Sequence, residues 1–444
     1  GCSSDDPPAG DAAVLERGPD APLSDARVVD GIPTADATGA TIVEKVFVGR
    51  AASLPVMLDL LTAGKRLFVA YYNKDRYMTV ASRTLGSTTW TYFVTPSKLP
   101  WDGHNYVVME LDSDNQLHVS GNMHGSKLNY YRTTKPLDIT TLTRVPAMVG
   151  KDETRVTYPT FLKGPKGELV FHYRAGQSGD GVTIFNRYDT ATKTWSRLLD
   201  KPLFGAPGMN AYPHGPVMLG GAYHVAWVWR NTPNSATNHD PSYARSVDLV
   251  NWTRADGTKI ALPITTQNGD IVDPVPTNSG LENFNIKVGI DGKGRPIVSY
   301  HKWDAQGDTQ LYNARFEGKA WKIHQTSSWK GRYVPGSSAS GPRLFIQPVR
   351  VEPDGGLSQA FSHWKESPDR NTNWRLDGAT LKPIGTYPYL KNVIRALVYG
   401  TVTSPYPGMR PASIIGRGDK PEHRMYFLHW EVVDTQGISW PAPT

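Results

Sequence analysis

The sequence has 444 residues and a net charge of +7, and it is rich in aromatic residues, with 13 tryptophans and 21 tyrosines. No run of about 18 consecutive apolar residues occurs, which excludes a membrane-spanning helix within the sequence as given. Cys2 is the single cysteine, which excludes an internal disulfide framework and a cysteine-built metal site.

The N-terminal region differs from the rest in composition and charge. Residues 1–36 hold eight acidic and two basic residues, so the remainder carries a net charge of about +13. Residues 1–8 resemble the mature start of a bacterial lipoprotein, in which Cys2 would be lipidated; a free cysteine of no consequence is the alternative. We expect residues 1–40 to form a lipoprotein N-terminus and flexible tether. The protein would then be exported, and either lipid-anchored to the outer membrane or cell surface, or periplasmic.

Short runs of β-prone residues recur along the rest of the chain, whereas helical periodicity is nearly absent. Seven similar runs begin 50 to 74 residues apart, at Leu67, Leu117, Leu169, Tyr223, Ile297, Leu357 and Tyr426. This spacing suits one four-stranded blade per run. We predict an all-β fold, a single-domain seven-bladed β-propeller over residues 41–444, with six or eight blades as the nearest alternatives. Residues 246–252 resemble a degenerate Asp-box turn of sialidase-type propellers.

The residues most suggestive of chemistry lie between Asp102 and Arg132. If the segment from Leu117 onward is extended, alternation places polar side chains on one face, namely His118, Ser120, Asn122 and His124. His104 precedes His124 by twenty residues, and a hairpin-like return would bring the two together. Such a polar face suits a strand that lines a channel or cleft. The alternative is that these histidines only bond neighbouring backbone.

A second polar stretch covers residues 156–188. Tyr173 and Arg174 end one strand candidate, a glycine-rich loop follows, and Arg187 and Tyr188 end the next strand. The loop permits close approach of a ligand to the backbone. It lacks the strand-to-helix setting of a nucleotide-binding loop, so we do not expect a nucleotide.

Together, GNMHG and NYYR in the first stretch and YRAGQSGDG with NRYD in the second resemble the BNR-4 propellers, in particular ulvan lyases of polysaccharide lyase families 24 and 25. The resemblance implies cleavage of a rhamnose–uronate linkage by β-elimination. It places the catalytic roles on His104, His124, Tyr173 and Arg187, with Arg174 or Tyr188 as alternative counterparts of the last two. Asn122, Arg174, Tyr188 and the loop residue His239 would contact the substrate. We predict no required cofactor and no metal ligands, and leave a structural metal open.

These residue types suit elimination. A guanidinium offsets the uronate carboxylate, here Arg187 with Asn122 as a neutral helper. A histidine, His124 or His104, takes the C5 proton near neutral pH, and Tyr173 protonates the leaving oxygen or serves as both acid and base.

Three other functions remain open. A glycoside hydrolase would need two carboxylates about 5 to 9.5 Å apart, for which Asp102, Glu110, Asp152 and Glu153 are available. An exo-acting rhamnose–glucuronate lyase and a non-catalytic glycan-binding propeller are the others. In each case the basic body favours an acidic polysaccharide as the partner. We expect no nucleic acid, a monomer, and membrane contact only through Cys2.

Overall fold

The computed structural model describes residues 14–15, 25–31, 42–100, 102–205, 208–334, 344–366, 372–388, 404, 408–420 and 424–433. Over these ranges the chain consists of β-strands, loops and three short 3-10 turns, at Ile139–Thr141, Ser235–Thr237 and Asn283–Asn285. Among these residues, no helix combines the length and the apolar character that a membrane span requires.

The strands up to residue 200 are β1 (Val14–Leu15), β2 (Asp25–Gly31), β3 (Ile42–Arg50), β4 (Asp59–Ala63), β5 (Arg66–Tyr72), β6 (Tyr77–Thr84), β7 (Thr91–Lys98), β8 (Val107–Leu111), β9 (Leu117–Gly121), β10 (His124–Ser126), β11 (Tyr130–Thr133), β12 (Leu142–Arg144), β13 (Val156–Lys163), β14 (Leu169–Gln177), β15 (Asp180–Asp189) and β16 (Thr194–Arg197). The later strands are β17 (Asn210–Leu219), β18 (Ala222–Arg230), β19 (Asn238–Ser246), β20 (Trp252–Thr253), β21 (Asp270–Ile271), β22 (Lys287–Ile290), β23 (Pro296–Trp303), β24 (Thr309–Glu317), β25 (Ala320–Gln325), β26 (Leu344–Ile346), β27 (Arg350–Val351), β28 (Leu357–His363), β29 (Thr372–Leu376), β30 (Pro383–Thr386), β31 (Met409–Ile415), β32 (Arg417–Gly418) and β33 (Met425–Val433).

The described strands form seven sheets of four to six strands, antiparallel except where β32 pairs with β4. Their four-stranded cores are β4–β7, β8-β9-β11-β12, β13–β16, β17–β20, β22–β25, β26-β28-β29-β30 and β31-β33-β2-β3. Each of the seven runs found in the sequence forms the second strand of a different sheet: β5, β9, β14, β18, β23, β28 or β33. The all-β propeller prediction is therefore confirmed, and one run per sheet is consistent with seven blades.

Strands from near both ends of the described chain pair in one sheet, although β1 joins a different sheet through β7. β2 pairs with β3 on one side and with β33 on the other, so a strand near the N-terminus completes the sheet that contains the last strand. This strand, Asp25–Gly31, lies within residues 1–40, the segment predicted to be a lipoprotein N-terminus and tether, and that division of the chain stays a prediction. Cys2 lies outside the described residues.

The predicted Asp-box, residues 246–252, forms a turn between β19 and β20 that an aspartate stabilises. Asp248 accepts hydrogen bonds from the backbone amides of Val250 (2.9 Å) and Asn251 (2.7 Å), and Trp252 behind it is only 1 % exposed. Histidines recur on the second strands of six sheets, and five of them are buried: His118, His172, His224, His301 and His363.

The first strands of several neighbouring sheets contact one another, as β4 does β8, β8 does β13 and β17 does β22. Such packing is typical of the strands around the central channel of a propeller. The residues just before the first strands, and the first residues within them, contact one another from sheet to sheet. His104 neighbours Tyr158, Tyr158 neighbours Tyr212, and Asn285 bonds to the backbone of Leu344. We call the surface formed by these segments the entry face.

Candidate active site

Two histidines stack on the entry face and share one carboxylate. The ring centroids of His104 and His124 lie 4.2 Å apart, with 20° between the ring planes. Asp102 contacts the Nδ1 atom of His104 at 2.6 Å and that of His124 at 2.5 Å. Burial raises the pKa of Asp102, but hydrogen bonds from the amide and ring of His104 and from the ring of His124 outweigh this and lower it. An ionised Asp102 accepts from both Nδ1 atoms, which leaves both Nε2 atoms free to exchange protons.

Local backbone geometry brings the two histidines together. The side chain of Asp102 also accepts from the amide of His104 at 2.9 Å, which fixes a turn just before β8. After β9, Asn122 adopts a left-handed conformation (φ 60°), and β10 then pairs with β13 of the next sheet. His124 therefore sits at the junction of two blades.

The same turn corrects the predicted polar face. The chain is not extended from residue 118 to residue 124, because the left-handed conformation of Asn122 ends the strand after Gly121. Gly121 itself packs tightly on the neighbouring strand: a Cβ there would lie 2.7 Å from the Cα of Val107. His118 is buried and contacts Asp112 and Tyr130. The side chain of Asn122 donates to Ser97 Oγ (2.8 Å) and Lys98 O (3.0 Å), and no described contact joins it to the histidine pair.

Tyr158 and Arg174 complete this side of the site. The ring centroid of Tyr158 lies 6.2 Å from that of His104, and the Arg174 guanidinium lies 5.0 Å from the Tyr158 ring centroid. Tyr158 has φ 58°, a strained conformation for an aromatic residue that is most often found at functional sites. Arg174 is buried; its Nη2 donates to Thr157 Oγ1 (3.0 Å), and its Nε has no hydrogen-bond acceptor among the described residues.

The neighbouring sheet adds a second tyrosine–arginine pair. The Tyr212 ring lies 6.4 Å from that of Tyr158, and the Arg230 guanidinium lies 4.0 Å from the Tyr212 ring centroid. Burial raises the pKa of Tyr212, but its hydrogen bond with Ser178 and the charges of Arg230 and Arg174 outweigh this and lower it.

The two buried guanidiniums make the site strongly attractive to anions. In the part of the chain that the structure describes, neither Arg174 nor Arg230 has a carboxylate within 4.0 Å. A buried cation without a counter-charge is costly. An acidic ligand bound between these residues would supply that charge.

Tyr173, predicted to be the acid, is not brought to the histidines. It is fully buried, packs near Phe171, and accepts a hydrogen bond from Arg197 Nη1 at 3.1 Å. Side chains alternate along β14, so Tyr173 points away from the face that carries Arg174. This placement corrects the expected convergence of Tyr173 with His124.

Arg187 and Tyr188 also lie away from the histidines. Arg174 pairs with Thr183 across β14 and β15, and Arg187 is four residues further along, about 13 Å towards the opposite end of the blade. Arg187 is exposed there, and the Tyr188 hydroxyl accepts from Arg132. The expected convergence of Arg187 with the histidines is therefore not found, because β15 runs away from the entry face.

His239, predicted to be a loop residue, lies in β19, where neighbouring side chains hold its ring. Its Nδ1 contacts Asp240 at 2.9 Å and its Nε2 contacts Asn231 Oδ1 at 2.9 Å. Both ring nitrogens thus have partners. Of the eight residues predicted for the site, the structure groups His104, His124 and Arg174; the sequence-based interpretation missed Asp102 as a partner of the histidines, and missed Tyr158, Tyr212 and Arg230 altogether.

The histidine cluster also has the composition of a metal site. One ligand atom from each of Asp102, His104 and His124 lies within 4.8 Å of the others. In the arrangement described above, both Asp102 oxygens contact Nδ1 atoms, so a metal ion would have to bind through the two Nε2 atoms or displace these bonds.

Comparisons with known proteins place this site in a familiar fold. The short isoform of ulvan lyase from Alteromonas sp. (strain LOR) is 28% identical over 162 residues, which cover 31% of this chain and only 28% of that protein. The structure of polysaccharide lyase Uly1 superposes with a TM-score of 0.54 at 15% identity, over 93% of this chain and 99% of that one. A PL25 ulvan lyase bound to -[GlcA(1-4)Rha3S]- gives a TM-score of 0.52 at 13% identity, over 76% and 84% of the two chains.

At these identities, the two structures establish a shared propeller fold. The family is established separately, by a model that matches more than half of the chain. Residues 66–329, which include every residue of the histidine, tyrosine and arginine cluster described above, match the BNR_4 model. The chain therefore belongs to the BNR repeat-containing family.

Proposed function

We propose that this protein is a polysaccharide lyase that cleaves a rhamnose–uronate linkage of an ulvan-type acidic polysaccharide by β-elimination. The observation that carries the proposal is a grouping of side chains on one face: two histidines and the half-buried Tyr158 lie beside two buried arginines. Among the described residues, the Nε2 atoms of these histidines have no hydrogen-bond partner and the arginines have no carboxylate partner. The ulvan lyases among the similar proteins support the choice of substrate class.

The substrate carboxylate is assigned to Arg174. When the C5 proton of a uronate leaves, negative charge spreads onto the carboxylate, and a positioned guanidinium stabilises that charge. Arg174 is buried and its Nε has no acceptor among the described residues, so a substrate carboxylate would supply the missing acceptor and counter-charge. Arg230 adds a second positive charge on the next sheet.

The proton transfers are assigned to the histidine pair and Tyr158. A histidine Nε2 removes the C5 proton, the electron pair forms the C4–C5 double bond, and the C4–O bond breaks. Tyr158 donates its hydroxyl proton to the leaving oxygen. Burial raises the pKa of Tyr158, which keeps the phenol protonated at neutral pH as a general acid requires. The ring of His104 is the nearer of the two to Tyr158.

A hydrolase mechanism fits the acidic side chains less well. Asp102 is bound to both histidines, and Glu110 pairs with Arg417 at 2.9 Å. Asp152 pairs with Arg197 at 3.1 Å, and Glu153 accepts from two backbone amides. None of the four acidic residues considered above is thus left free to serve in the carboxylate pair that a glycosidase needs.

The test is whether the purified protein generates the ultraviolet absorbance of an unsaturated uronate from ulvan. We expect the wild type to do so and His124→Ala to lose the signal while its thermal unfolding stays cooperative. Ulvan binding without double-bond formation would contradict the lyase proposal and favour a glycan-binding propeller. New reducing ends without the double bond would favour a hydrolase.

A further inference from the structure

An exposed pair of aromatic rings lies on the entry face, beyond Arg230. Phe284 is 41 % exposed and Phe345 is 47 % exposed, and their ring centroids are 5.4 Å apart with 39° between the planes. Single exposed apolar residues are ordinary on protein surfaces. Two large rings in contact, brought together from two different sheets, form a small apolar patch of the kind that marks binding sites. We call these two rings the phenylalanine platform.

The platform is held in place by buried hydrogen bonds. Phe284 lies in the 3-10 turn Asn283–Asn285 just before β22, and Phe345 lies in β26 of the next sheet. The side chain of Asn285, 1 % exposed, donates to Leu344 O (2.8 Å) and accepts from the amide of Ile346 (3.0 Å). These two bonds fix the backbone on both sides of Phe345, so the rings are positioned before any ligand arrives.

The platform is continuous with the proposed catalytic site. Asn283, next to Phe284 in the chain, accepts a hydrogen bond from Arg230 Nη1 at 3.3 Å. Arg230 in turn stacks on Tyr212, and Tyr212 neighbours Tyr158. An unbroken series of contacts therefore leads from the acid proposed for the reaction to the platform, across three sheets.

The chemistry of the platform differs from that of the catalytic site. Phe284 and Phe345 offer apolar ring faces and no polar side-chain atoms, which match the methyl group and C–H face of a deoxy-sugar. A uronate carboxylate placed on these rings would lose hydration without gaining a partner. We propose that the phenylalanine platform is a distal subsite that stacks on the C–H face of a deoxy-sugar residue, with any sulfate turned to solvent, in the same polysaccharide chain whose uronate is held at Arg174. The proposal rests on the proposed function, because it takes the polysaccharide from it.

The test compares substrates of different length. Phe284→Ala, Phe345→Ala and the double variant are assayed on ulvan and on the shortest ulvan oligosaccharide that the wild type cleaves. Losing two stacking rings should raise KM for ulvan roughly five- to tenfold in the double variant, with kcat unchanged. The short substrate, which does not reach the platform, should show an unchanged KM. Phe284→Trp, which keeps a ring, should retain the wild-type KM.

Phe47 provides the matched control. It is 49 % exposed and lies in β3, in the sheet that closes the ring, so Phe47→Ala removes an exposed ring without touching the platform. Equal KM values for the double variant and Phe47→Ala on ulvan would overturn the proposal. So would an equal rise of KM on both substrates, or a fall in kcat alone.

Electrophoresis through gels that contain ulvan measures binding of each variant to the polysaccharide independently of catalysis. The wild type and Phe47→Ala should be retarded more than the double variant, and equal retardation of all three would overturn the subsite. If the wild type forms no double bond but the double variant still loses retardation, the lyase proposal fails and the subsite stands.

Discussion

The Nδ1 atom of His124 lies 2.5 Å from the carboxylate of Asp102, which also contacts the Nδ1 atom of His104. Asp102 precedes β8, whereas His124 lies in β10. One acceptor thus orients two imidazoles whose free nitrogens point away from it. Because the carboxylate is ionised, neither Nδ1 can be the proton acceptor in the reaction. The arrangement selects a single tautomer for each neutral ring, which is what a base at Nε2 needs.

Asp102→Asn tests this role. An asparagine offers one acceptor oxygen and an NH₂ group, so it cannot accept from both Nδ1 atoms, and one ring will turn or change tautomer. We expect kcat to fall by about 10²- to 10⁴-fold, towards the loss seen when the carboxylate that orients a catalytic base histidine is replaced by an amide. The measurement is the rate of double-bond formation over a range of pH. Unchanged kcat and an unchanged pH profile would show that Asp102 only stabilises the turn before β8.

Tyr158→Phe and Tyr173→Phe form a second pair of variants. Both lose one hydroxyl, but only Tyr158 neighbours the histidines, whereas the Tyr173 hydroxyl bonds to Arg197 inside a blade. We expect Tyr158→Phe to reduce kcat by roughly 10² to 10⁴. Tyr173→Phe should keep most activity and lose about 1 kcal/mol of stability, as measured by denaturant unfolding. The reverse pattern would restore the assignment based on family resemblance.

Arg174→Ala and Arg187→Ala distinguish the two guanidiniums in the same way. Arg174 is buried beside Tyr158, and Arg187 is exposed about 13 Å along the blade. We expect Arg174→Ala to lower kcat/KM on ulvan by at least about 100-fold, the effect of removing one donor to a developing oxyanion. Arg187→Ala should stay within about twofold of the wild type. A large loss in Arg187→Ala would mean that the substrate is bound at the other end of the blade.

The fold could be predicted because its signal is repeated seven times. Each second strand is a run of β-prone residues at a similar spacing, and an error in one copy does not alter the pattern. The closure by β2 was harder to predict, because Asp25–Gly31 lies in an acidic region whose composition is typical of a tether. One of its two pairing partners, β33, is about 400 residues away, and no local pattern carries that information.

The site could be predicted only in part, because its residues depend on backbone turns. His104 and His124 were found from their spacing and from the polar residues around them. Tyr158 lies in an ordinary strand sequence, and it becomes accessible to His104 through a left-handed backbone conformation that its neighbours do not indicate. Arg187 was misplaced because the sequence does not show that β14 and β15 extend far enough to carry it to the opposite end.

Stability should fall when the pH is lowered from 7.5 to 5. Burial lowers the pKa of His172 to about 4, that of His224 to about 4 and that of His301 to about 3, all below the ordinary value near 6.5. Between pH 6.5 and about 4 the unfolded chain therefore binds protons that the folded chain does not, so acid favours unfolding. The stabilisation is intact above pH 6.5 and is lost progressively as the pH falls towards these lowered values.

The contribution of one histidine can be isolated with His172→Gln. This side chain is buried, stacks on Phe185 with 4.9 Å between ring centroids, and has no role in the proposed reaction. Urea unfolding at pH 7.5 and pH 5 should show a decrease in the free energy of unfolding for the wild type, at most about 2 kcal/mol per buried histidine. His172→Gln, although less stable overall, should show a smaller decrease, because glutamine does not titrate. An identical pH dependence in the two proteins would mean that His172 becomes protonated without unfolding the blade.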